Sequence, residues 1–172
     1  KALLAEVGVS ILSHVIQIGH VAVDRQMVSG LHFEQLQQRA EQSDLRMADP
    51  LVEGEIKALI DHCKKEGDSV GGIFEVIATG LPAGLGSVMN WDEKLDGRIG
   101  QAIMSIPAIK GVEIGLGFEA ARRHGSQTHD AIYHSKNEKD WLAGHGPAGG
   151  FYRKTNRAGG LEGGMTNGEP IV

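Results

Sequence analysis

Apolar positions recur at helical spacing in the segment that begins at Asp49 and Pro50. Asp49 is a suitable N-cap, and Pro50 suits the first position of a helix. The apolar residues follow at i, i+4, i+7, i+8 and i+11 and are Val52, Ile56, Leu59, Ile60 and Cys63. Gly67 follows two lysines and predicts the end of this helix. The pattern therefore predicts one amphipathic helix from Pro50 to the residues just before Gly67.

The rest of the chain up to residue 107 contains both strand-like and helix-like segments. Residues 9–23 are rich in Val and Ile and predict one long strand, kinked at Gly19. The other predicted elements are a helix end at 1–7, a surface helix at 32–42, a strand at 70–79 with a bulge at its paired glycines, and a helix after Asn90. Asn90 and Glu93 have the spacing of a capping box, and Pro107 is predicted to end that second helix.

The most regular two-residue alternation in the chain lies between residues 111 and 120. Its apolar face consists of Val112, Ile114, Leu116, Phe118 and Ala120, and three glycines lie on the opposite face. This alternation predicts a strand with Phe118 packed in the core. The small residues on the other face leave room for a close neighbour, such as a second layer or the edge of a cofactor.

Residues 125–157 have neither a helical nor a strand period, so we predict a long surface loop. The stretch from Tyr133 to Lys154 has no function that we can assign from its residues. The preceding elements mix helices and strands without strict alternation, which favours an α+β fold with antiparallel sheets. We treat residues 1–172 as a single, partial domain.

Composition and charge narrow the possible functions. The 172 residues are 41% hydrophobic and 23% charged, as in ordinary globular proteins. The formal net charge of -5 argues against a nucleic-acid binder. No apolar run approaches the roughly 20 residues that a membrane span needs, and the single cysteine, Cys63, fits a reducing cytoplasm. Because the chain starts at Lys1 and stops at Val172 within a strand-like stretch, we expect an internal piece of a longer protein.

The histidines do not predict a metal site or a nucleophile. His124, His129 and His134 recur every five residues, a spacing that places them on one face of neither a helix nor a strand. His14 and His20 share a face of the predicted strand and could line a cleft, although satisfied or solvated histidines are the commoner case. No histidine has a serine or cysteine partner that suggests a catalytic triad.

Glycine is concentrated near the end of the chain, where two pairs, Gly159-Gly160 and Gly163-Gly164, are followed by Gly168. One interpretation is a tight turn, and the other is backbone that lies against a flat ligand where any side chain would collide. Pro107-Ala108 alone predicts a helix end, and Gly67-Asp68-Ser69 predicts a helix end more readily than a phosphate contact. The residues by themselves leave both interpretations of the Gly163 region open.

Several sequence blocks occur in an order that is typical of one enzyme family. They are Lys65-Glu66-Gly67-Asp68-Ser69-Val70-Gly71-Gly72, Pro82-Ala83-Gly84-Leu85-Gly86, Met104-Ser105-Ile106, Lys110-Gly111-Val112-Glu113-Ile114-Gly115 and the glycine-rich segment 155–168. With these blocks the chain resembles the middle part of chorismate synthase over nearly its whole length. The resemblance implies an α+β fold in which antiparallel sheets and helices form a β-α-β sandwich, here incomplete.

The resemblance also implies an activity and a cofactor. The family converts 5-enolpyruvylshikimate 3-phosphate to chorismate by 1,4-anti elimination of phosphate, a lyase reaction of aromatic amino acid biosynthesis that requires reduced FMN. The resemblance places FMN contacts on Pro107, Ala108 and Gly163. The family's catalytic histidines lie in segments outside this chain, so we expect none of its histidines to be catalytic, and no metal.

Further expectations concern the intact protein. The intact enzyme would be a cytoplasmic homotetramer whose partner is its small-molecule substrate, with neither a nucleic acid nor a membrane involved. Whether it would reduce its flavin with NADPH or rely on a separate reductase stays open. The alternative function is a non-catalytic structural and oligomerisation core that carries only part of a flavin site.

Overall fold

The structure, a computed structural model, describes residues 1–135 and 150–172. The helices are α1 (Ala2–Ala5), α2 (Arg25–Ser29), α3 (Phe33–Gln42), α4 (Pro50–Glu66) and α5 (Leu95–Met104), with 3-10 helices at Gly117–Arg122 and Gly125–Gln127. The strands are β1 (Ser10–Ile18), β2 (Val21–Ala22), β3 (Gly72–Thr79), β4 (Ile132–His134), β5 (Phe151–Arg153), β6 (Leu161–Glu162) and β7 (Met165–Thr166). The predicted α+β class with antiparallel sheets and helices is confirmed.

Helix α4 confirms the amphipathic helix that the sequence predicts. The Asp49 side chain accepts a hydrogen bond from the Leu51 amide at 3.0 Å, and Pro50 occupies the first turn. Gly67 ends the helix in the left-handed conformation, with φ of 69°. Ile56, at the centre of the predicted apolar face, is fully buried. Local signals specified this element because its cap, period and end all agree.

The three-stranded sheet has the order β2-β1-β3, and its first two strands correct the prediction of one long strand over 9–23. The chain turns back after β1, and Ile18 pairs with Val21 across a two-residue turn. Gly19 begins that turn with φ of 57°, a conformation that favours glycine. A side chain at this position would also come within 2.8 Å of Leu59 Cδ2. Gly19 is therefore the turn of a hairpin rather than a kink.

Helix α5 begins later than predicted. Its N-cap is Lys94, and no side chain caps it, so the predicted Asn90 cap is wrong. Glu93 does not complete a capping box, because its carboxylate accepts a hydrogen bond from the Ser87 hydroxyl at 3.0 Å. The predicted stop is confirmed, since the helix ends at Met104, before Pro107.

The strand predicted over 111–120 is absent from the described structure. Residues 111–114 are irregular, and the 3-10 helix Gly117–Arg122 follows. Gly115 and Gly117 have φ of 60° and 50°, so the glycines turn the chain where alternation had suggested extension. Phe118 is 73% exposed, which makes its predicted place in the core wrong.

Two compact units can be distinguished in the chain, one from Leu12 to Val76 and the other from residues 1–11 and 77–172. In the first unit, Leu12, Met47 and Ile56 are fully buried. In the second, the buried residues include Tyr152 and Leu161 on short strands. The expectation of a single partial domain over 1–172 stays a prediction.

The described ends of the predicted loop 125–157 contain short regular elements. Strands β4 and β5 pair antiparallel, with Tyr133 opposite Tyr152. These two rings stack at 5.5 Å, and the Lys154 ammonium lies 4.5 Å from the Tyr133 ring centre. The remainder of the loop, residues 136–149, lies outside the described residues, so its role stays open. Within the described ranges, no helix combines the length and apolarity that crossing a bilayer demands.

Candidate functional site

The last glycine pair forms the turn of a hairpin between β6 and β7. Glu162 pairs with Met165, which leaves Gly163 and Gly164 as the two turn residues. Their φ angles are 61° and 90°, and two successive positive φ angles are the requirement of the tightest hairpin turns. The tight-turn interpretation of this segment is therefore confirmed.

The two turn glycines differ in the space around them. A Cβ atom on Gly164 would lie 2.6 Å from the Ser87 carbonyl oxygen and 2.7 Å from Lys94 Cγ. A Cβ atom on Gly163 would meet only one atom of the described structure within 4 Å beyond its chain neighbours, Val88 Cγ1 at 3.6 Å. Gly164 is thus enclosed by protein, whereas Gly163 presents open backbone.

An exposed apolar segment lies beside this turn. Gly86 forms an isolated antiparallel β-bridge with Met165. The Thr166 amide donates to the Leu85 carbonyl at 2.9 Å, and the Leu85 amide donates to the Thr166 hydroxyl oxygen. The exposed apolar side chains of the segment are Leu85, Val88, Met89 and Trp91, and Trp91 is 84% exposed. Open glycine backbone next to exposed apolar side chains provides a surface on which a flat ring can lie.

The first glycine pair has a structural use. A Cβ atom on Gly159 would lie 2.3 Å from the Gly115 amide nitrogen, and one on Gly160 would lie 2.4 Å from the Pro170 carbonyl oxygen. The Gly115 amide donates to the Val172 carbonyl at 2.8 Å in the same region. The close backbone approach that the sequence suggests is therefore made to the protein's own backbone at these two glycines.

Pro107 and Ala108 lie exposed beyond the C-terminal end of α5. Ala108 has φ of 69°, an unusual conformation for a residue with a side chain and one that is found often at functional sites. The opposite end of α5 adjoins the turn, since the Leu95 amide donates to the Gly164 carbonyl at 2.8 Å. Ten residues of helix span about 15 Å, so the structure does not bring Pro107 and Ala108 next to Gly163.

A polar cluster that sequence reasoning missed holds the same hairpin, and we call it the Arg153 cluster: Arg153, Glu162, Asn167 and Glu169. Arg153 and Glu169 are buried, whereas the Glu162 side chain is partly exposed. The Arg153 guanidinium donates to Glu162 Oε2 at 2.6 Å and to the Asn167 carbonyl at 3.1 Å. The Arg153 amide donates to Glu169 Oε1 at 2.9 Å. No motif signalled this cluster, because its four members are distributed over 17 positions with no regular spacing.

Within the Arg153 cluster, the pKa of Glu169 is shifted by its surroundings. Burial raises the pKa of Glu169, while the hydrogen bond and the positive charge of Arg153 act in the opposite direction without reversing the shift.

Nearby, burial would also raise the pKa of Asp130. Hydrogen bonds from the Thr155 hydroxyl and the Ala158 amide outweigh that effect, and the pKa of Asp130 is lowered. Asp130 is thus a charged anchor for the start of the glycine-rich segment.

The histidines form no shared site in the described structure. His14 is buried on β1, with Nε2 3.1 Å from Glu75 Oε2, whereas His20 is exposed in the hairpin turn. His14 is thus a buried histidine with a carboxylate partner, and the cleft interpretation for the pair is wrong. Within residues 1–135 and 150–172, no three His, Cys, Asp or Glu side chains are grouped so that they could hold a metal ion.

Comparison with known proteins extends over the whole chain. The family model described as "Chorismate synthase" matches residues 1–172. Chorismate synthase from Geobacter metallireducens is 51% identical over 172 residues, which are 100% of this chain and 42% of that protein. Chorismate synthase from a Sulfurihydrogenibium species is also 51% identical, over 100% of this chain and 41% of its own length.

A solved structure titled "Crystal Structure of Chorismate Synthase" matches with a TM-score of 0.84 and 47% identity, over 99% of this chain and 50% of that chain. The chain spans about two fifths of the length of the curated relatives, at 41–42%. A family model that matches every residue, relatives at about half identity and a shared fold agree with one another. The chain belongs to the chorismate synthase family.

Proposed function

We propose that the protein to which this chain belongs is a chorismate synthase that converts 5-enolpyruvylshikimate 3-phosphate to chorismate. In this elimination the substrate loses phosphate and a C6 proton, and no atom is oxidised overall. The observation that carries the proposal is the match of the family model to residues 1–172. The relatives at 51% identity and the structural match at 47% identity support it.

The proposal includes reduced FMN as the cofactor. The residues present fit a flat ring, because Gly163 has an open face and the neighbouring Val88, Met89 and Trp91 are exposed apolar side chains. When bound, the reduced flavin supplies electron density that assists the departure of phosphate. This chain's own contribution is to bind and orient the ring with the backbone of Gly163 and to shield it from water with its apolar neighbours.

Pro107 and Ala108 form the second proposed flavin contact. Both are exposed, and Ala108 has a positive φ just beyond the end of α5, an uncommon backbone conformation that clusters at functional sites. Because α5 separates this pair from Gly163, we propose that the two contacts act on different parts of the cofactor environment. Substitutions at the two places should therefore weaken FMN binding independently.

No catalytic residue is proposed within this chain. The elimination needs a group that receives the C6 proton and cationic groups that hold the phosphate, and the resemblance places the family's versions outside residues 1–172. The chain then supplies part of the flavin site and of the scaffold. For the intact protein we propose a cytoplasmic homotetramer, with NADPH or a separate reductase as the source of electrons for the flavin.

The experiment that tests the function is release of phosphate by the full-length protein. The protein is supplied with 5-enolpyruvylshikimate 3-phosphate and with FMN that has been chemically reduced, which makes the assay independent of any NADPH activity. Phosphate and chorismate should appear in equal amounts only when reduced FMN is present. Absence of both products with folded full-length protein would contradict the proposal, and it would favour the alternative of a structural and oligomerisation core.

A further inference from the structure

A single buried side chain joins both strands of the hairpin that carries Gly163. Arg153 Nη2 donates to Glu162, the residue immediately before the turn, and Arg153 Nη1 donates to the carbonyl of Asn167, immediately after β7. The Arg153 side chain is only 11% exposed, whereas the Glu162 side chain is 45% exposed. The guanidinium therefore reaches outward from the interior and fixes the hairpin on both sides of its turn.

The same cluster is not arranged for maximum stability. Within the described residues, Arg153 Nε, Asn167 Nδ2 and Glu169 Oε2 are all buried without a hydrogen-bond partner. Unsatisfied buried polar atoms cost free energy, and apolar replacements for such groups are often neutral or stabilising. A cluster with this cost points to a geometric use, namely holding one backbone arrangement against alternatives.

We propose that Arg153 is a positioning residue that acts through Glu162 and the Asn167 carbonyl. It holds the Gly163-Gly164 turn so that the open face of Gly163 keeps one orientation toward the flavin. This inference rests on the proposed function, because the orientation matters only if a flat cofactor lies against Gly163. It assigns to β5, which follows residues 136–149 in the chain, a direct influence on the flavin contact.

The test compares three variants of the full-length protein. Glu162→Gln keeps the side-chain shape and an acceptor oxygen but removes the negative charge that pairs with the Arg153 guanidinium. Arg153→Lys keeps the charge but cannot bind Glu162 and the Asn167 carbonyl together in the planar geometry of a guanidinium. Glu119→Gln is the matched control, since its carboxylate also bonds an arginine, Arg122, at 3.1 Å and is also 45% exposed.

Three quantities that report on the flavin contact are measured for each variant: FMN affinity by fluorescence titration, the absorbance spectrum of bound flavin, and hydrogen exchange of residues 161–166. The apo melting temperature is measured as well, as a check on folding. For Glu162→Gln we expect about fivefold weaker FMN binding, a shifted flavin spectrum and faster exchange in 161–166. The apo melting temperature should change by less than about 2 °C. Arg153→Lys should change the same three quantities in the same direction, and Glu119→Gln should change none of them.

These measurements distinguish a failure of the positioning role of Arg153 from a failure of the proposed function. Unchanged FMN affinity and unchanged exchange in both cluster variants would overturn the positioning role, as would an equal loss of affinity in the control. If wild-type protein binds no FMN, the proposed function fails, and the exchange data alone then decide whether Arg153 holds the turn. If Arg153→Lys does not fold, the results for Glu162→Gln decide the positioning role, because the Glu162 side chain is partly in solvent.

Discussion

The Gly164 carbonyl oxygen accepts a hydrogen bond from the Leu95 amide at 2.8 Å, which joins the turn of the β6–β7 hairpin to the first residue of helix α5. The first amides of a helix have no partner within the helix, and α5 has no side-chain cap. The turn backbone therefore takes the place of a cap. This contact explains why Gly164 is enclosed, and it leaves Gly163 as the turn residue that faces outward.

Because Gly164 is enclosed and Gly163 is open, replacement by alanine should lower the free energy of unfolding by different amounts at the two positions. Gly163→Ala should destabilise the full-length protein by about 1 kcal/mol, because its positive φ is unfavourable but its Cβ has space. Gly164→Ala should cost about 3 kcal/mol or more, because its Cβ would also collide with the Ser87 carbonyl oxygen. Urea unfolding of the two variants checks the order, and equal losses would show that the turn relaxes more than the structure indicates.

The exposure of Phe118 makes a second prediction, with an internal control. In the 172-residue chain, Phe118→Ala should lower the free energy of unfolding by less than about 1 kcal/mol, since the side chain is 73% exposed there. Ile56→Ala should cost about 2–5 kcal/mol, since Ile56 is fully buried. Denaturant unfolding of each variant gives the comparison. A loss of about 3 kcal/mol at Phe118 would restore the core strand that alternation had suggested.

These two positions show what the sequence can predict. Helix α4 was predicted correctly because its cap, its apolar period and its terminal glycine are local signals that agree with one another. The strand over 111–120 was predicted wrongly because alternation with glycine is equally compatible with turns at positive φ, as Gly115 and Gly117 adopt. The β1–β2 hairpin was missed because apolar residues continue on both sides of its turn.

The candidate site was predictable only in part, for a related reason. Composition alone pointed to the Gly163 region, because clustered glycines have few uses other than turns and close approach. The Arg153 cluster and the exposed segment 85–91 beside the turn depend on contacts between residues that are distant in sequence, such as the Gly86–Met165 bridge. Periodicity and spacing carry no information about such contacts. The predicted FMN contacts at Pro107, Ala108 and Gly163 themselves stay predictions.

Glu169 makes the stability of the protein depend on pH in a direction that can be checked. Its pKa is raised above 4.5 in the folded state, so the folded protein disfavours the ionised carboxylate. Protonated Glu169 contributes to the free energy of unfolding. This contribution is fully present below the ordinary pKa of 4.5, and it is lost as the pH rises through the raised folded-state pKa. Glu169→Gln, which does not ionise, should not lose stability in this way.

The corresponding measurement is the difference in unfolding free energy between Glu169→Gln and wild type, followed from about pH 4 to pH 7. The difference should move in favour of the glutamine variant as the pH rises, because the other titrating groups are common to both proteins. A difference that stays constant, or that moves in favour of wild type, would show that Glu169 is ionised without penalty in the folded protein.

The 172-residue chain alone should show no lyase activity. It spans 41–42% of the length of the curated relatives, and the resemblance places the family's catalytic histidines outside it. Phosphate release by the purified chain, with reduced FMN and a no-protein control, is the measurement. Turnover above the control would mean that residues within this chain complete the chemistry.

We propose that this chain presents Gly163 to the flavin of a chorismate synthase, and Gly163→Asn in the full-length protein probes this contact. Asparagine tolerates positive φ better than other residues with side chains, so the turn should remain folded while its open face is covered. The measurement is the rate of phosphate release from 5-enolpyruvylshikimate 3-phosphate at increasing concentrations of reduced FMN. We predict that wild type turns over and that the variant, with an unchanged apo melting temperature, needs about tenfold more FMN for half its maximal rate, which corresponds to about 1.4 kcal/mol. An identical FMN requirement in the two proteins would rule out the contact at Gly163, and no turnover by folded wild type would rule out the proposed function.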